Sequence, residues 1–190
     1  IWETQRSTIV KVLDQAGIGL SEVSAIGITN QRESTIAWNR ETGEALCPAI
    51  NWQCRRTAGF CDELKEEGFD ELIRNRTGLV TDPYFSGTKM HWILQNVPEA
   101  ANLARQGKLC FGTVDSWLIW KLSGGKTHAI EISNASRTLV FDIQKCEWDS
   151  EILSRFGIPP ESLPEVVPSS GVIAEVDESL FGGSAPIAGA

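Results

Sequence analysis

The sequence predicts a mixed α/β fold, in which short strands alternate with helices. Short apolar runs rich in β-branched and aromatic residues, such as the one at Ile36, are typical of strands. Apolar residues three and four positions apart, as at Ile9, Val12 and Leu13, are typical of amphipathic helices. Gly17 follows that run as a helix terminator. With 190 residues, the chain is long enough for one domain with a hydrophobic core.

Seven helices follow from the apolar spacing, at residues 2–16, 54–66, 69–76, 86–95, 98–106, 115–122 and 148–156. Gly17 and Gly78 follow predicted helix ends, where a left-handed residue commonly terminates a helix. Ser86 is a candidate N-cap, and Asp115 places a carboxylate near the free amides of a helix start. Lys89 and Trp92 share one face of the fourth helix, which predicts an amphipathic helix with a core Trp.

Strands are predicted at residues 25–28, 36–38, 109–113, 138–143 and 171–176. Between the third and fourth strands, the small polar residues of SNASRT (133–138) predict a loop packed closely against other backbone. Several prolines after residue 158 predict an irregular connector. GGSAPIAG (182–189) then reads as a glycine-rich turn into a final strand, and by itself is a weak phosphate-binding signal.

The charge balance argues against nucleic acid or an anionic membrane as the main partner. The 25 acidic residues outnumber the 17 basic ones and give a formal net charge of −8, whereas phosphate backbones are bound by clustered Lys and Arg. No apolar run approaches the ~18 residues of a membrane span, and the first residues lack the layout of a signal peptide. A cytoplasmic location is therefore expected.

The cysteines predict neither a metal site nor a disulfide framework. Their number, five, is odd, none forms a C-x-x-C pair, and only His91 and His128 could add imidazole ligands. Cys54 and Cys61 are seven positions apart, so both are expected on one helical face as packing residues. Free thiols fit a reducing compartment.

A strongly polar tetrad, Asn30-Gln31-Arg32-Glu33, separates the first two predicted strands. Every buried donor and acceptor needs a partner, so four such side chains are expected on the connection and not inside a strand. A guanidinium donates and a carboxylate accepts, a combination that suits a polyhydroxylated ligand. Both can face one ligand only if the backbone bends between them. From the residues alone, an exposed hairpin tip with a weak ion pair is the simpler interpretation.

Two aromatic residues near predicted helix starts also have two interpretations. Trp52 precedes Arg55 and Arg56, and could be a ring at a domain edge beside a solvated helix start. Tyr84, the only tyrosine, lies on the loop before the fourth helix and could be a packed ring with a wet hydroxyl. Alternatively, an indole face can cover the carbon side of a ligand, and a phenol can both donate and accept.

Six blocks of the sequence resemble the N-terminal domain of the FGGY family of carbohydrate kinases, within its glycerol kinases. They are GITNQRESTIAWN (27–39), AINWQCRRT (49–57), TGLVTDPYFSGTKMHWIL (77–94), GTVDSWLIWKLSGG (112–125), SNASRTLVFDI (133–143) and IPPESLPEVVPSSGVI (158–173). The blocks occur in the family's order and cover most of the chain from about Ser24 to Gly189. Together they are more specific than any one block.

This resemblance implies a ribonuclease H-like, actin-like ATPase fold with a mixed sheet and flanking helices. It implies ATP-dependent phosphorylation of glycerol to glycerol 3-phosphate, with Mg²⁺ bridging the phosphates, and it allows a homo-oligomer. In the family's pattern, Arg32, Glu33 and Tyr84 would bind glycerol, and Trp52 would form an apolar wall against its carbon face. These residues are the expected substrate site.

The resemblance further implies that the fold is truncated at both ends. Residues 1–190 would be a partial N-terminal, substrate-binding domain, preceded in the family by a strand segment with an Asp-x-Gly-Thr motif. The general-base Asp is expected just beyond Ala190, and the C-terminal nucleotide-binding domain lies outside this chain. No catalytic, nucleotide-binding or metal residue is therefore expected within it, and the isolated chain is expected to lack kinase activity.

Two departures from the family's pattern concern single positions. The family has Thr-Asp where this sequence has Ile130-Glu131, which leaves the role of Glu131 open. Ser184 and Ala185 occupy the neighbourhood of an Arg that helps to bind an allosteric sugar bisphosphate in some bacterial members, so this regulation is not expected.

Two alternative functions remain open from the sequence. A kinase of the same family for another polyol or ketopentose would share the fold, although a different tetrad is then expected at residues 30–33. A non-catalytic polyol-binding module would need neither a general base nor an ATP site.

Overall fold

The computed structural model describes residues 1–190 and has the alternation of helices and strands that the sequence predicts. The helices are α1 (Trp2–Ala16), α2 (Ala58–Glu66), α3 (Phe69–Thr77), α4 (Ser86–Asn96), α5 (Pro98–Arg105), α6 (Val114–Leu122), α7 (Ile132–Ala135), α8 (Ser150–Phe156) and α9 (Glu178–Phe181). The strands are β1 (Ile26–Gly27), β2 (Ile36–Asn39), β3 (Leu109–Gly112), β4 (Ala129–Glu131), β5 (Phe141–Asp142), β6 (Glu147–Trp148), β7 (Glu165–Val167), β8 (Ser170–Glu175) and β9 (Pro186–Gly189). Short 3-10 helices lie at Leu20–Glu22 and Pro160–Ser162. None of the helices combines the length and apolar character needed to cross a membrane.

The strands form four small sheets of mixed direction. The three-stranded sheet has the order β1-β9-β8, with β1 parallel and β8 antiparallel to β9. Strand β2 pairs antiparallel with β3, β4 pairs parallel with β7, and β5 pairs antiparallel with β6. Although β1 and β2 are neighbours in the sequence, they pair with different partners, so the polar tetrad between them is a crossover and not a hairpin tip.

The helices and strands are held by separate hydrophobic clusters. The largest contains 18 buried residues from the segments around α2 to α5, β2, β3 and α8, with Phe111, Met90 and Phe156 among its members. A second cluster packs α6 against the three-stranded sheet. A third is built on Trp38, whose ring contacts that of Trp117 edge to face at a centroid distance of 5.1 Å.

Several predicted boundaries are confirmed because local signals determine them. Helix α1 ends at Gly17, and α3 at Gly78, each in the left-handed conformation with φ of 68° and 71°. A residue with a Cβ is disfavoured in that conformation. The last strand, predicted after the glycine-rich turn, is β9.

Two helix starts were predicted too early. The helix expected from residue 54 begins at Ala58, because Asn51 forms a turn in which its side chain accepts from the Gln53 amide at 3.1 Å. Cys54 thus lies outside α2, and the prediction that Cys54 and Cys61 share a helical face is wrong. The helix expected from residue 148 begins after Asp149, whose carboxylate accepts from the free amides of the first turn.

Three further predictions are corrected by the structure. Ser86 is the first helical residue of α4 and not its N-cap, a position that Phe85 occupies. The segment SNASRT is not a loop throughout, because its first half lies in α7. The strand expected at 138–143 is limited to Phe141–Asp142, since Thr138 closes a turn onto Ala135 and Leu139 has a positive φ of 72°.

Candidate polyol-binding site

The polar tetrad bends sharply at Glu33. This residue lies on the connection between β1 and β2 with φ of 62°, an uncommon conformation for a residue with a side chain. The bend lets Arg32 and Glu33 line the same cavity, as a shared ligand would require. Because such a backbone conformation is strained, it persists only where the surroundings hold it.

The carboxylate of Glu33 is almost fully buried and is paired with Arg137. Arg137 Nε donates to Glu33 Oε1 at 2.8 Å, and the Glu33 side chain is only 5% exposed. The pair leaves Oε2 of Glu33 available as an acceptor at the cavity. Arg137 therefore balances the charge of Glu33 while one carboxylate oxygen remains for a ligand.

Arg32 is oriented by two residues of α7. Its Nε donates to Asn134 Oδ1 at 3.0 Å, and its Nη2 donates to Ser133 Oγ at 3.3 Å. The amide group of Asn134 donates in turn to Asp115 Oδ2 at 2.9 Å. With two of its nitrogens bound in this way, the otherwise exposed guanidinium has a fixed direction and keeps Nη1 for a ligand.

Asp115 forms the buried end of this chain of hydrogen bonds. Its side chain is fully buried, and it also accepts from the Thr113 hydroxyl. Burial raises the pKa of Asp115, although hydrogen bonds from Thr113, the Ser116 amide and Asn134 lower it in part. The prediction of a carboxylate at the start of α6 was correct, but the contacts of Asp115 extend to the site.

Asn30, the first residue of the tetrad, joins the same α6 terminus. Its side chain accepts from the Asp115 amide at 3.0 Å and donates to Thr113 Oγ1 at 3.1 Å. A free amide of the helix start is thereby satisfied by a residue from the β1–β2 connection. The tetrad is thus fixed at one end by Asn30 and at the other by Glu33.

Glu131, whose role the sequence left open, caps α7 from the end of β4. Its carboxylate accepts from the backbone amides of Ser133 and Asn134 at 2.8 and 3.0 Å. The hydroxyl groups of Ser133 and Ser169 also donate to it, at 2.6 and 2.5 Å. Burial raises the pKa of Glu131, but these hydrogen bonds outweigh it, so the net pKa is lowered. Glu131 therefore holds the helix that orients Arg32.

These side chains surround one open cavity of about 690 Å³. Arg32, Glu33 and Tyr84, three of the four predicted substrate residues, line it together. Asn30, Glu131, Asn134 and Arg137 also line the cavity, and Ala190 borders it at the end of β9. The wall is mainly polar, which suits a small ligand with several hydroxyl groups.

Trp52, the fourth predicted residue, lies at the edge of the cavity and not among the residues that line it. Its ring meets the Tyr84 ring edge to face at a centroid distance of 5.8 Å, and 41% of Trp52 is exposed. The Tyr84 loop is a turn in which the Asp82 carboxylate accepts from the Tyr84 amide at 2.8 Å. Trp52 can therefore reach a ligand only by extending the wall that Tyr84 begins.

The residues of this chain do not fit a metal ion. No group of three or more His, Cys, Asp or Glu side chains is placed to hold one. The two carboxylates at the cavity already accept hydrogen bonds, Glu33 from Arg137 and Glu131 from four donors.

The sequence patterns do not predict three neighbours of the site, Arg137, Asn134 and Lys89. SNASRT was interpreted as a closely packed loop, and Lys89 as part of an amphipathic helix with a core Trp. The structure places Lys89 at 0% exposure while Trp92 is only half-buried. The sequence held no signal for Arg137, because only the structure shows that the Glu33 carboxylate is buried and requires a cationic partner.

The mixed α/β fold surrounds one mainly polar cavity, whose lining suits a small polyhydroxylated molecule. Comparison with known proteins identifies the class more closely. The model of the FGGY family of carbohydrate kinases, N-terminal domain, matches residues 1–189. The chain therefore belongs to the FGGY family of carbohydrate kinases.

Curated relatives match the whole chain at high identity. The chain is 54% identical to a protein named glycerol kinase from Treponema denticola, over 100% of this chain and 38% of the relative. It is also 54% identical to glycerol kinase 2 of Thermotoga maritima, with the same coverage of both chains. The chain thus spans about 38% of the length of these relatives.

Solved structures confirm the predicted ribonuclease H-like, actin-like fold. The crystal structure of Plasmodium falciparum glycerol kinase with ADP superposes with a TM-score of 0.82 and 32% identity, over 88% of this chain and 33% of that chain. A ligand-bound xylulose kinase from Lactobacillus acidophilus superposes with a TM-score of 0.75 at 19% identity, covering 88% of this chain and 34% of that one. The second likeness shows the fold alone.

Proposed function

We propose that the full-length protein transfers the γ-phosphoryl group of ATP to glycerol, forming glycerol 3-phosphate, and that residues 1–190 supply the glycerol-binding part. The observation that carries this proposal is the convergence of Arg32, Glu33 and Tyr84 on one polar cavity. The relatives named glycerol kinase, at 53 to 56% identity over the whole chain, favour glycerol over a ketopentose.

Each proposed contact uses a group that the fold leaves available. Arg32 Nη1 donates to one hydroxyl oxygen, and Glu33 Oε2 accepts from a hydroxyl proton. The Tyr84 phenol can do either, and Trp52 covers the carbon side of the molecule. Since the Arg32 and Glu33 side chains are already fixed by Asn134 and Arg137, glycerol binding orders few further side-chain rotations.

The reaction itself requires little covalent chemistry from this domain. A glycerol hydroxyl oxygen forms a bond to the γ-phosphorus, and the bond from that phosphorus to the β–γ bridging oxygen breaks as ADP leaves. The hydroxyl proton passes to a general base. We assign this role to the aspartate expected just beyond Ala190, a position supported by the fact that Ala190 borders the cavity. Mg²⁺ would arrive on the nucleotide phosphates, and no step depends on a metal site in this chain.

The assignment of domains follows from the same proposal. Residues 1–190 represent the substrate-binding part of an N-terminal domain, and the nucleotide is bound mainly by a C-terminal domain. The isolated 190-residue chain is accordingly expected to have no kinase activity. A cytoplasmic location suits an enzyme that uses ATP.

A coupled phosphorylation assay on the full-length protein tests the proposal. Glycerol, xylulose and ribulose are compared at matched concentrations, and the assay is repeated with Arg32→Ala and with Arg74→Ala. Arg74 is an exposed arginine of α3 away from the cavity, so its removal controls for the loss of a positive charge. We expect glycerol to be preferred and Arg32→Ala alone to lower kcat/KM, by about 100-fold. Preference for a ketose would refute glycerol as the substrate. A lack of any phosphorylation would favour a non-catalytic polyol-binding module.

A further inference from the structure

Lys89 is a buried cation without an acidic partner. It lies near the N-terminus of α4 at 0% exposure, and no carboxylate is within ion-pair distance of it. Its ammonium group instead donates to three backbone carbonyls: that of Glu33 at 2.9 Å, that of Phe85 at 3.4 Å, and that of Tyr84. Full burial of a cation bonded only to backbone is rare.

The three carbonyls belong to the two segments that carry Arg32, Glu33 and Tyr84. Glu33 lies on the β1–β2 connection, whereas Tyr84 and Phe85 lie on the loop before α4. No other side chain donates to the Glu33 carbonyl, and the Glu33 backbone has the strained φ of 62°. One ammonium group therefore joins both segments directly behind the cavity.

The position of Lys89 is unfavourable for stability alone. Burial of a charge without a counter-ion costs free energy, and the N-terminus of a helix carries partial positive charge. A Met or Leu at this site would fill the space without either cost. A residue that breaks local rules in this way is expected where function requires it.

We propose that Lys89 is a positioning residue for the polyol site, whose ammonium group holds the backbone of Glu33 and of Tyr84 in the geometry that binds substrate. The three N–H donors of an ammonium group match the three carbonyl acceptors. Loss of this group frees the β1–β2 connection to leave its strained conformation, which displaces the Glu33 carboxylate. The expected effect on the KM for glycerol rests on the proposed function, whereas the expected effect on hydrogen exchange does not.

The charge of Lys89 gives the site a pH dependence. The ionisable groups that face it are Glu33, Asp82, Cys54 and Cys61. Burial lowers the pKa of Lys89 to about 8, and the negative charge of Glu33 opposes that shift in part. A neutral amine has one N–H donor fewer than the ammonium group, so the contacts weaken as pH rises through 8. Polyol affinity is therefore expected to fall above that pH.

The test compares Lys89→Met with Lys121→Met in the full-length protein. Lys121 also donates to a backbone carbonyl, that of Gly43 at 2.7 Å, but it lies on α6 away from the cavity. We expect Lys89→Met to raise the KM for glycerol about tenfold or more, a cost of ~1.4 kcal/mol, while the KM for ATP stays within about twofold. Lys121→Met is expected to change neither constant. An unchanged KM for glycerol in Lys89→Met would overturn the proposal.

Hydrogen exchange provides a readout that does not depend on activity. The Thr35 amide, at the end of the connection, donates to the Ile50 carbonyl at 2.9 Å. This amide is expected to exchange about tenfold faster in Lys89→Met than in the unsubstituted protein, and at an unchanged rate in Lys121→Met. Equal exchange in all three proteins would show that Lys89 does not position the connection. If the protein phosphorylates no polyol but exchange increases as expected, the proposed function fails and the positioning role stands.

A second variant covers the case in which Lys89→Met does not fold. Lys89→Arg keeps its charge well above pH 8, because a guanidinium has a pKa above about 12. The KM for glycerol of the unsubstituted protein is expected to rise between pH 7 and about pH 9, and this rise is expected to be absent in Lys89→Arg. The same rise in both proteins would exclude Lys89 as its cause.

Discussion

Arg137 Nε lies 2.8 Å from Glu33 Oε1, which joins the polar tetrad to the segment after α7. This contact places a guanidinium beside a carboxylate that is only 5% exposed. The guanidinium of Arg137 also lies over the Phe85 ring, 5.1 Å from its centroid. Arg137 thus contacts both segments that Lys89 joins, but from the cavity side.

Replacement of Arg137 by Met tests the value of this ion pair. The substitution leaves the Glu33 carboxylate without its partner, so we expect a loss of about 1–2 kcal/mol in the free energy of unfolding, discounted because Arg137 is one-third exposed. The kcat/KM for glycerol is expected to fall by about 100-fold. Steady-state kinetics and urea denaturation of the full-length protein measure the two effects.

Arg155 provides a matched control. It pairs with Glu67 at 2.7 Å, on a surface away from the cavity. Arg155→Met is expected to change the free energy of unfolding by less than about 1 kcal/mol and to leave kcat/KM unaltered. Equal kinetic effects of the two substitutions would show that the Arg137–Glu33 pair has no special role in substrate binding.

Glu131 is expected to make stability depend on acid pH. Its folded-state pKa is lowered below the ordinary value of 4.5, so the unfolded chain binds a proton more readily at this residue. The stabilisation is therefore fully present above pH 4.5 and is lost as pH falls through the folded-state pKa. Glu131→Gln is expected to cost about 1–3 kcal/mol at neutral pH, because two backbone amides and two hydroxyls lose a charged acceptor.

The pH dependence of this difference is the decisive measurement. Urea denaturation gives the free energy of unfolding of both proteins. The difference between the unsubstituted protein and Glu131→Gln should become smaller as the pH is lowered toward about 3. Glu165→Gln, at an exposed position of β7 in the same sheet, serves as the control and should show no such difference. If the difference in the free energy of unfolding were the same at all pH values, the charge of Glu131 would not be the source of its stabilising effect.

Replacement of Trp52 tests a proposed substrate contact with little expected effect on the free energy of unfolding. Because 41% of the residue is exposed, Trp52→Ala is expected to change the free energy of unfolding by less than about 1 kcal/mol. If Trp52 covers the carbon side of glycerol, the KM for glycerol should rise about tenfold with little change in kcat. Trp52→Phe, which keeps a flat apolar ring, should restore most of the affinity. An unchanged KM in Trp52→Ala would remove Trp52 from the substrate site.

Gly87 is expected to tolerate no side chain. A Cβ there would lie 2.8 Å from Val140 Cγ1 and 2.9 Å from the Thr138 carbonyl oxygen, so Gly87→Ala should lower the free energy of unfolding by about 1–3 kcal/mol. Gly59, also in a helix, has no atom within 4 Å of such a Cβ. Gly59→Ala should raise stability by about 0.5–1 kcal/mol through helix propensity. Thermal unfolding of both variants tests this contrast, which similar shifts of the same sign would contradict.

Local features of the fold could be predicted from the sequence, whereas long-range pairings could not. The end of α1 at Gly17 and the strand at Ile36 depend on a few adjacent residues. The pairing of β1 with β9 depends on contacts between Ile26 and Ile187, which no local pattern records. Helix starts were missed where a side-chain hydrogen bond and not apolar spacing fixes the first turn, as at Asp149, whose carboxylate caps α8.

In the candidate site, too, local features could be predicted from the sequence and long-range contacts could not. The chemistry of Arg32 and Glu33 was visible in the tetrad, and the need for a bend followed from strand geometry. The partners of these residues, Asn134 and Arg137, come from a segment that is distant in the sequence. Lys89 was misinterpreted because helical spacing gave it a face shared with Trp92, and only the tertiary structure shows which of the two side chains is buried.

The parallel pairing of β1 with β9 also determines when the cavity can form during folding. This pairing closes a loop that contains almost every other element of the domain, so it forms late in a chain whose contacts are otherwise more local. The tryptophan cluster around Trp38 depends on elements closer in sequence and can assemble earlier. In refolding experiments, tryptophan fluorescence should therefore recover before glycerol binding does. Between these two events, the chain would have a formed core and an exposed β1 edge. Such an intermediate is the state most able to bind chaperones or to associate incorrectly with other chains.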